Sequence, residues 1–243
     1  MTAISDTRLE VLPDPDALAR RAAAWLLAAA MGKPGDFAIA LSGGSTPRRL
    51  YEHLAGESFR DSFPWSRTHW FWGDERFVPP DDAKSNYRMV RDALLSRAPV
   101  PTDNIHPVPT AVASPEAAAS AYERELKSFY GADRLDPARP LFDVTLLGLG
   151  SDGHLASLFP GTAALTVRDR WAAAVVSAQP EARITLTYPA LESSRQVAFL
   201  ISGGEKREIF ARLRRGDETL PAARLRPVGS LWFFADAAAA AAP

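Results

Sequence analysis

The sequence predicts an α/β domain whose mostly parallel sheet is flanked by helices. Short apolar runs of strand length alternate with longer segments of helical periodicity, which is typical of parallel strands joined by crossover helices. The composition, 47% hydrophobic and 23% charged, is that of an ordinary globular protein. Because no Pro-, Gly- or Ser-rich linker divides the 243 residues, we expect positions 1–243 to form a single domain.

Local signals along the chain predict the individual elements. Apolar or alternating runs predict strands at 7–12, 37–41, 68–72, 142–149, 171–178, 196–202 and 230–236. Helices are predicted at about 14–31, at about 86–98, at about 115–130 and after "GGEK" at 203–206. Another helix is predicted to start at Pro47, with Thr46 as its cap. The closing alanines, 237–243, are of low complexity, and we expect them to fray.

Charge and cysteine content exclude several classes of protein. The net charge is −1 with basic and acidic residues mixed, whereas nucleic-acid binding needs a concentrated positive face. The chain has no cysteine, which excludes disulfides, cysteine nucleophiles and thiolate metal sites, and it has no H-E-x-x-H or G-x-S-x-G motif. The longest apolar run, 22–31, is shorter than the roughly 20 residues of a membrane span. We expect a cytoplasmic protein without a metal, nucleic-acid or membrane partner.

One glycine-rich loop matches the dinucleotide pattern G-x-G-x-x-G. In "LLGLGSDGHLASLFPG", residues 146–161, the glycines are Gly148, Gly150 and Gly153. A dinucleotide site also needs a long helix after the glycines and an acid about 20 residues further on. Only six residues follow Gly153 before the Pro-Gly break, and Asp169 is a poor match for the acid. We therefore expect no nucleotide cofactor at this loop.

The same glycines favour a site for acid–base chemistry. They permit a sharp turn and a close approach of substrate, and the turn aims Asp152 and His154 out of the sheet edge. Histidine titrates nearest to neutral pH, so His154 is a candidate general acid or base. The alternative on this loop alone is an exposed histidine in a turn.

A second loop has the parts of a phosphate-binding site. "SGGSTP", residues 42–47, offers backbone N–H groups, two hydroxyls and a helix N-terminus, although the Gly-Lys-Ser/Thr ending of a P-loop is missing. Its candidate residues are Ser42, Gly43, Gly44, Ser45 and Thr46. An ordinary capped strand–helix connection is the alternative.

Basic residues elsewhere are candidates for the same anion. Lys206 opens the helix of a similar unit, "ISGGEKREIF", where a positive charge opposes the helix dipole unless an anion is bound. Arg183 precedes an apolar strand-like run. Asp74 and Arg76 follow the strand "HWFW", and an arginine at a sheet edge can orient an anionic group through paired hydrogen bonds. Each of these residues alone fits a surface charge or a salt-bridged loop equally well.

Five stretches in order resemble the family of 6-phosphogluconolactonases. They are "LSGGSTPRRLYEHL", "WFWGDERFVPPDDAKSNYRMVRDALL", "LLGLGSDGHLASLFPG", "ARITLTYPAL" and "ISGGEKREIF", and they span residues 41–210. The resemblance implies a Rossmann-like, NagB/RpiA-like domain that needs no cofactor. It implies hydrolysis of 6-phospho-D-glucono-1,5-lactone to 6-phosphogluconate, a step of the oxidative pentose phosphate pathway.

The resemblance also implies roles for the candidate residues. His154 would be the general base toward water, and Asp152 would orient that water or substrate hydroxyls. Arg76 would stabilise the oxyanion or hold the sugar acid, and Asp74 would lie in the site without a settled role. The phosphate would be held by Gly43, Gly44, Ser45, Thr46, Arg183 and Lys206.

Two other functions stay open at this stage. Glucosamine-6-phosphate deaminases share the fold and the Asp-Gly-His loop, but they use a Glu where this chain has Phe159, which cannot transfer a proton. A non-catalytic sugar-phosphate sensor would need an output module such as a helix-turn-helix, for which no spare segment exists. The expected partner is a small sugar-phosphate lactone, and a monomer or weak dimer is expected.

Overall fold

A computed structural model of the protein describes residues 7–176 and 178–242. Nine strands and eight α-helices alternate along these residues. They are β1 (Thr7–Leu12), α1 (Pro15–Gly32), β2 (Phe37–Leu41), α2 (Ser45–Leu54), α3 (Glu57–Arg60), β3 (Thr68–Trp72), β4 (Asp74–Arg76), α4 (Asn86–Val90), α5 (Pro115–Tyr130), β5 (Phe142–Leu147), β6 (Ala172–Val175), β7 (Arg183–Leu186), α6 (Tyr188–Glu192), β8 (Ser194–Ile201), α7 (Arg207–Arg214), β9 (Ser230–Asp236) and α8 (Ala237–Ala240).

The main sheet has six strands in the order β1-β9-β8-β5-β2-β3, and every neighbouring pair is parallel. This arrangement confirms the predicted α/β class. Strands β2 and β5 are buried along their whole length, as expected where helices cover both faces of a parallel sheet. Because parallel strands end at the same edge, the loops after β2, β5 and β8 meet there.

The two longest helices begin where their caps predict. The side chain of Asp14 accepts a hydrogen bond from the backbone N–H of Ala17 at 2.8 Å and starts α1. Ser114 caps α5 in the same way, and Gly131 ends that helix in the left-handed conformation at φ 73°. The helices predicted at about 14–31 and 115–130 are therefore confirmed. None of the helices within residues 7–242 is both long and apolar enough to cross a membrane.

A second sheet of three antiparallel strands, in the order β4-β7-β6, stands beside the first. Sequence analysis placed the "DER" segment at a strand end and did not predict this sheet. Strand β4 consists of three charged residues and carries no apolar alternation, so no periodic signal marks it. Its register sets Arg76 opposite Arg183, a pairing that contributes directly to the site described below.

Several predicted boundaries are wrong. Helix α2 begins at Ser45, with Gly44 as the N-cap and no side-chain cap, rather than at Pro47 behind Thr46. The helix predicted at 86–98 is α-helical only as far as Val90 and continues as a π-helical turn over 91–95. The strand predicted at 171–178 is shortened to β6, and residue 177 lies outside the described residues.

The alanine tail also differs from the expected frayed segment. Residues 237–240 form α8, a single helical turn, because the Asp236 side chain accepts a hydrogen bond from Ala239 N at 2.8 Å. Ala239 is buried against the core. Residue 243 lies outside the described residues.

Candidate active site

A cleft of about 480 Å³ opens at the carboxyl edge of the main sheet, beside the second sheet. It is bounded by the segments that follow β2, β5 and β8. It brings together ten of the predicted site residues: Ser42, Gly43, Gly44, Ser45, Thr46, Asp74, Arg76, His154, Arg183 and Lys206. These positions are spread over more than half of the chain, so the fold assembles the cleft from distant motifs. Asp152 does not line it.

The loop of residues 148–159, here called the histidine loop, folds back on itself to present His154. The backbone N–H of Gly150 donates to the carbonyl of His154 at 2.9 Å, and Gly153 N donates to Gly150 O at 3.0 Å. Gly153 has φ 81°, a left-handed conformation that favours glycine. The imidazole lies directly over Gly150, and a β-carbon there would be 2.7 Å from the imidazole Cγ. Both glycines therefore serve the placement of the histidine.

Asp152 stands behind the histidine instead of facing the cleft. Its Oδ1 is 2.6 Å from His154 Nδ1 and also accepts the backbone N–H of His154 at 3.1 Å. Partial burial acts to raise the pKa of Asp152, but the hydrogen bonds from His154 outweigh it and lower that pKa overall. An ionised carboxylate only accepts, so the neutral imidazole carries its proton on Nδ1 and has its lone pair on Nε2. The imidazole thereby has the tautomer of a general base.

Phe159 supports the other side of the imidazole. Its ring centroid is 4.4 Å from that of His154, with the two planes tilted by 46°. Phe159 also lines the cleft. The contact confines the imidazole between an apolar ring and a carboxylate, and it provides no second proton-transfer group.

Arg76 and Arg183 form a pair of guanidinium groups across β4 and β7. They are register partners, and within the described residues the buried Nε of each lacks a hydrogen-bond partner. Arg76 is braced by a hydrogen bond from Nη1 to the carbonyl of Lys84. Burial lowers the pKa of Arg183, and the neighbouring Arg76 lowers it further. Two adjacent half-buried cations, each with an unused Nε donor, form a wall suited to an anion.

Asp74 is fixed by contacts that sequence analysis did not find. Its Oδ2 accepts a hydrogen bond from the hydroxyl of Ser157 at 2.6 Å, and its carbonyl accepts from Asn86 Nδ2 at 2.9 Å. Ser157 is fully buried, and the preceding Ala156 has φ 47°, a left-handed conformation that costs a non-glycine residue about 1 kcal/mol. The Asp74–Ser157 bond therefore ties the second sheet to a strained turn of the histidine loop. No local pattern marks this pair, because 83 positions separate the two residues.

The phosphate-type loop, residues 42–46, is here called the glycine loop. Gly44 has φ 104°, and Gly43 packs so tightly on Asn86 that a β-carbon would be 2.6 Å from Asn86 Cγ. Ser42 lines the cleft, but its backbone N–H and carbonyl are both engaged by the hydroxyl of Tyr51. The backbone groups of Ser42 are thus used within the fold and are not available to bind a phosphate.

Lys206 reaches the cleft from a second loop that is anchored differently. The carboxylate of Asp236 accepts hydrogen bonds from Ser202 Oγ at 2.7 Å and from Gly203 N at 2.9 Å. The two similar "SGG" units thus each have a buried side chain holding the loop after the strand. Among the described residues, no three His, Cys, Asp or Glu side chains are placed to hold a metal ion.

Comparison with known proteins places this arrangement in a family. A family model described as glucosamine-6-phosphate isomerases/6-phosphogluconolactonase matches residues 13–233. This chain belongs to that family. A 6-phosphogluconolactonase of Nostoc sp. is 42% identical over 240 residues, covering 96% of this chain and 97% of the relative. One from Synechocystis sp. is 45% identical over 211 residues, covering 85% of each chain.

Solved structures of the 6-phosphogluconolactonase branch have the same fold. The enzyme from Thermotoga maritima superposes with a TM-score of 0.80 at 32% identity, covering 95% of this chain and all of that one. That of Trypanosoma cruzi gives 0.84 at 30% identity, with 97% and 96% covered. A monomeric glucosamine-6-phosphate deaminase shares the fold, with a TM-score of 0.80, but at 22% identity it shows no more than that.

Proposed function

We propose that this chain hydrolyses 6-phospho-D-glucono-1,5-lactone to 6-phospho-D-gluconate, with His154 as the general base that activates water. The lactonase activity is supported by relatives of 42% and 45% identity that bear the name 6-phosphogluconolactonase. The observation that carries the mechanism is the 2.6 Å contact between Asp152 and His154 Nδ1, because it leaves Nε2 able to accept a proton beside the cleft.

The proposed reaction has two steps. His154 Nε2 takes a proton from water while the water oxygen bonds to the lactone carbonyl carbon. The tetrahedral intermediate then collapses, the bond from that carbon to the ring oxygen breaks, and Nε2 returns the proton to the departing ring oxygen. Asp152 keeps the imidazole in the required tautomer and orientation, and its carboxylate faces the imidazolium that forms between the steps.

The remaining cleft residues would bind the substrate. Arg76 would stabilise the oxyanion, because its buried Nε has no hydrogen-bond partner within the described residues. The phosphate would be held by the backbone N–H groups of the glycine loop together with Arg183 and Lys206. Holding the phosphate at one end would fix the distance from the lactone carbonyl to His154. Such positioning lowers the entropic cost of reaching the transition state. Asp74 would orient Arg183, whose charge it favours.

Water is the only co-substrate of this reaction, so the mechanism requires no cofactor. We place the reaction in the oxidative pentose phosphate pathway and in the cytoplasm. A monomer or weak dimer stays a prediction, which light scattering at several concentrations would check.

The test compares the wild-type protein with His154→Ala at mildly acidic pH, where spontaneous hydrolysis is slow. 6-Phosphogluconolactone is generated in situ, and glucono-1,5-lactone serves as the control without phosphate. We expect wild type to accelerate only the phosphorylated lactone, and the variant to lose about 10²- to 10⁴-fold in kcat. Equal rates for the two proteins would mean a different base. If neither protein were active, the lactonase proposal would be wrong, and ammonia release from glucosamine 6-phosphate would be measured next.

A further inference from the structure

We propose that Tyr51 is a positioning residue whose hydroxyl sets the conformation of the glycine loop for binding of the substrate phosphate. The inference rests on the proposed function, because it assumes that the glycine loop holds the phosphate. Tyr51 lies in α2 and is fully buried, so it does not touch the substrate itself.

The Tyr51 hydroxyl makes two hydrogen bonds to one residue. It donates to the carbonyl of Ser42 at 2.8 Å and accepts from the N–H of Ser42 at 3.0 Å. Strand β2 ends at Leu41, so the peptide groups of Ser42 lie just beyond the ladder of the sheet. A hydroxyl is the smallest group that can both donate and accept there. The Tyr51 hydroxyl thus supplies the hydrogen-bond partners that a neighbouring strand would provide, at the point where the loop leaves the sheet.

This contact joins the two ends of the glycine loop. Only three residues, 42–44, separate the end of β2 from the start of α2 at Ser45, and Tyr51 belongs to α2. Ser45 and Thr46, the first residues of α2, line the cleft, so the same side chain joins the strand end to the helix whose N-terminus would face the phosphate. Gly44, with φ 104° and no β-carbon, gives this segment wide backbone freedom. The anchor at Ser42 and the packing of Gly43 on Asn86 together limit the loop to one conformation.

The next strand provides a matched comparison. Tyr122 is also fully buried, and its hydroxyl accepts from Trp72 N at 2.8 Å and donates to Trp72 O at 2.9 Å. At Trp72, however, the hydrogen bonding of the sheets continues into the next residue. Gly73 N donates to Leu41 O, and Gly73 O accepts from Leu186 N, each at 2.8 Å. Loss of the Tyr122 hydroxyl should therefore cost stability without moving the glycine loop.

The experiment measures Tyr51→Phe and Tyr122→Phe side by side. Each variant keeps the ring and loses both hydrogen bonds. For Tyr51→Phe we expect KM for 6-phosphogluconolactone and the inhibition constant of 6-phosphogluconate to rise together by about five- to tenfold, with kcat changed less than about twofold. Neither wild type nor Tyr51→Phe should accelerate glucono-1,5-lactone. Both variants should lower the melting temperature by a similar amount, and Tyr122→Phe should leave KM unchanged.

The outcomes separate the inference from the proposed function. Wild type inactive on the lactone would refute the function, whereas an active wild type with unchanged constants in Tyr51→Phe would refute only the role of Tyr51. An equal rise of KM in both variants would show a general loss of stability and would also overturn it. If Tyr51→Phe does not fold, amide exchange in wild type decides, because the Ser42 amide should exchange as slowly as that of Trp72. Fast exchange at Ser42 would contradict the anchor.

Discussion

Replacing Gly150 with alanine should displace His154, the proposed general base, without unfolding the protein. The added β-carbon would be 2.7 Å from the imidazole Cγ of His154 and nearer still to Nδ1. Non-bonded carbon atoms prefer about 3.5–4.0 Å, so the ring must move by at least about 1 Å or rotate away. Gly150 is not among the glycines with positive φ, so an alanine backbone is unstrained there. The imidazole is the end of a flexible side chain and yields before the backbone does.

The size of the effect follows from this displacement. A catalytic group misplaced by about 1 Å costs about 10²-fold in rate, and the same movement separates Nδ1 from Asp152. We therefore expect kcat for 6-phosphogluconolactone to fall by about 10²-fold. The KM value should change little, because the glycine loop and Arg183 are untouched.

Gly148→Ala is the matched control, since the nearest atom to its β-carbon is Ser42 Oγ at an ordinary 3.8 Å. Its kcat should stay close to that of wild type. Gly150→Ala made in the His154→Ala background should cost nothing further, because no imidazole remains to be displaced. A Gly150→Ala enzyme with the kcat of wild type would refute this account, as would a further loss in the double variant.

Further expectations concern three residues around the site. Asp152→Asn should lower kcat by about tenfold or more at constant KM, because the tautomer of His154 is no longer fixed; an unchanged kcat would contradict this. The pKa of Asp152 is lowered, so its ionised form stabilises the folded protein above pH 3.8, and this stability is lost as the pH falls through the folded-state pKa. Melting curves of Asp152→Asn at several pH values should lack this pH-dependent stability. The pH dependence from Glu75 runs the other way, because burial raises its pKa above 4.5. The stability that Glu75 contributes is present below that pH and is lost as the pH rises through the raised pKa. Glu75→Gln should remove this pH dependence. Ser157→Ala should cost about 1–3 kcal/mol in urea unfolding, because Asp74 loses a buried donor, and an unchanged midpoint would show that water replaces the hydroxyl.

Sequence patterns located the main sheet and most of the site. The strands of the parallel sheet are continuous apolar runs, and burial on both faces makes such runs visible in a sequence. The loops that bear chemistry were visible because glycines, a histidine and clustered hydroxyls stand directly after those runs. The family resemblance then gave His154 and Arg76 roles that composition and spacing alone left open.

Features that depend on contacts between distant positions were not predicted. Strand β4 has three charged residues, and its pairing with β7 exists only in the folded chain. Asp152 was expected toward the substrate, but the tight turn directs its carboxylate to His154 Nδ1. Nothing local in the sequence indicates that the hydroxyl of Tyr51 reaches back to Ser42. Side-chain partners of this kind are set by tertiary packing, which periodicity does not encode.

The strand order has a consequence for how the chain reaches its final state. Strand β1 has β9 as its one partner in the main sheet, and their register pairs Thr7 with Leu231 and Leu12 with Asp236. During synthesis β1 emerges long before its partner, so this edge of the sheet cannot close until β9 has left the ribosome. Helix α1 also cannot complete its packing before β9 is present, because Trp25 packs on Trp232 and Phe234 of that strand. Strand β9 thus closes this edge of the sheet, and a nascent chain that lacks it exposes an unpaired strand and an apolar helix face to aggregation or chaperones.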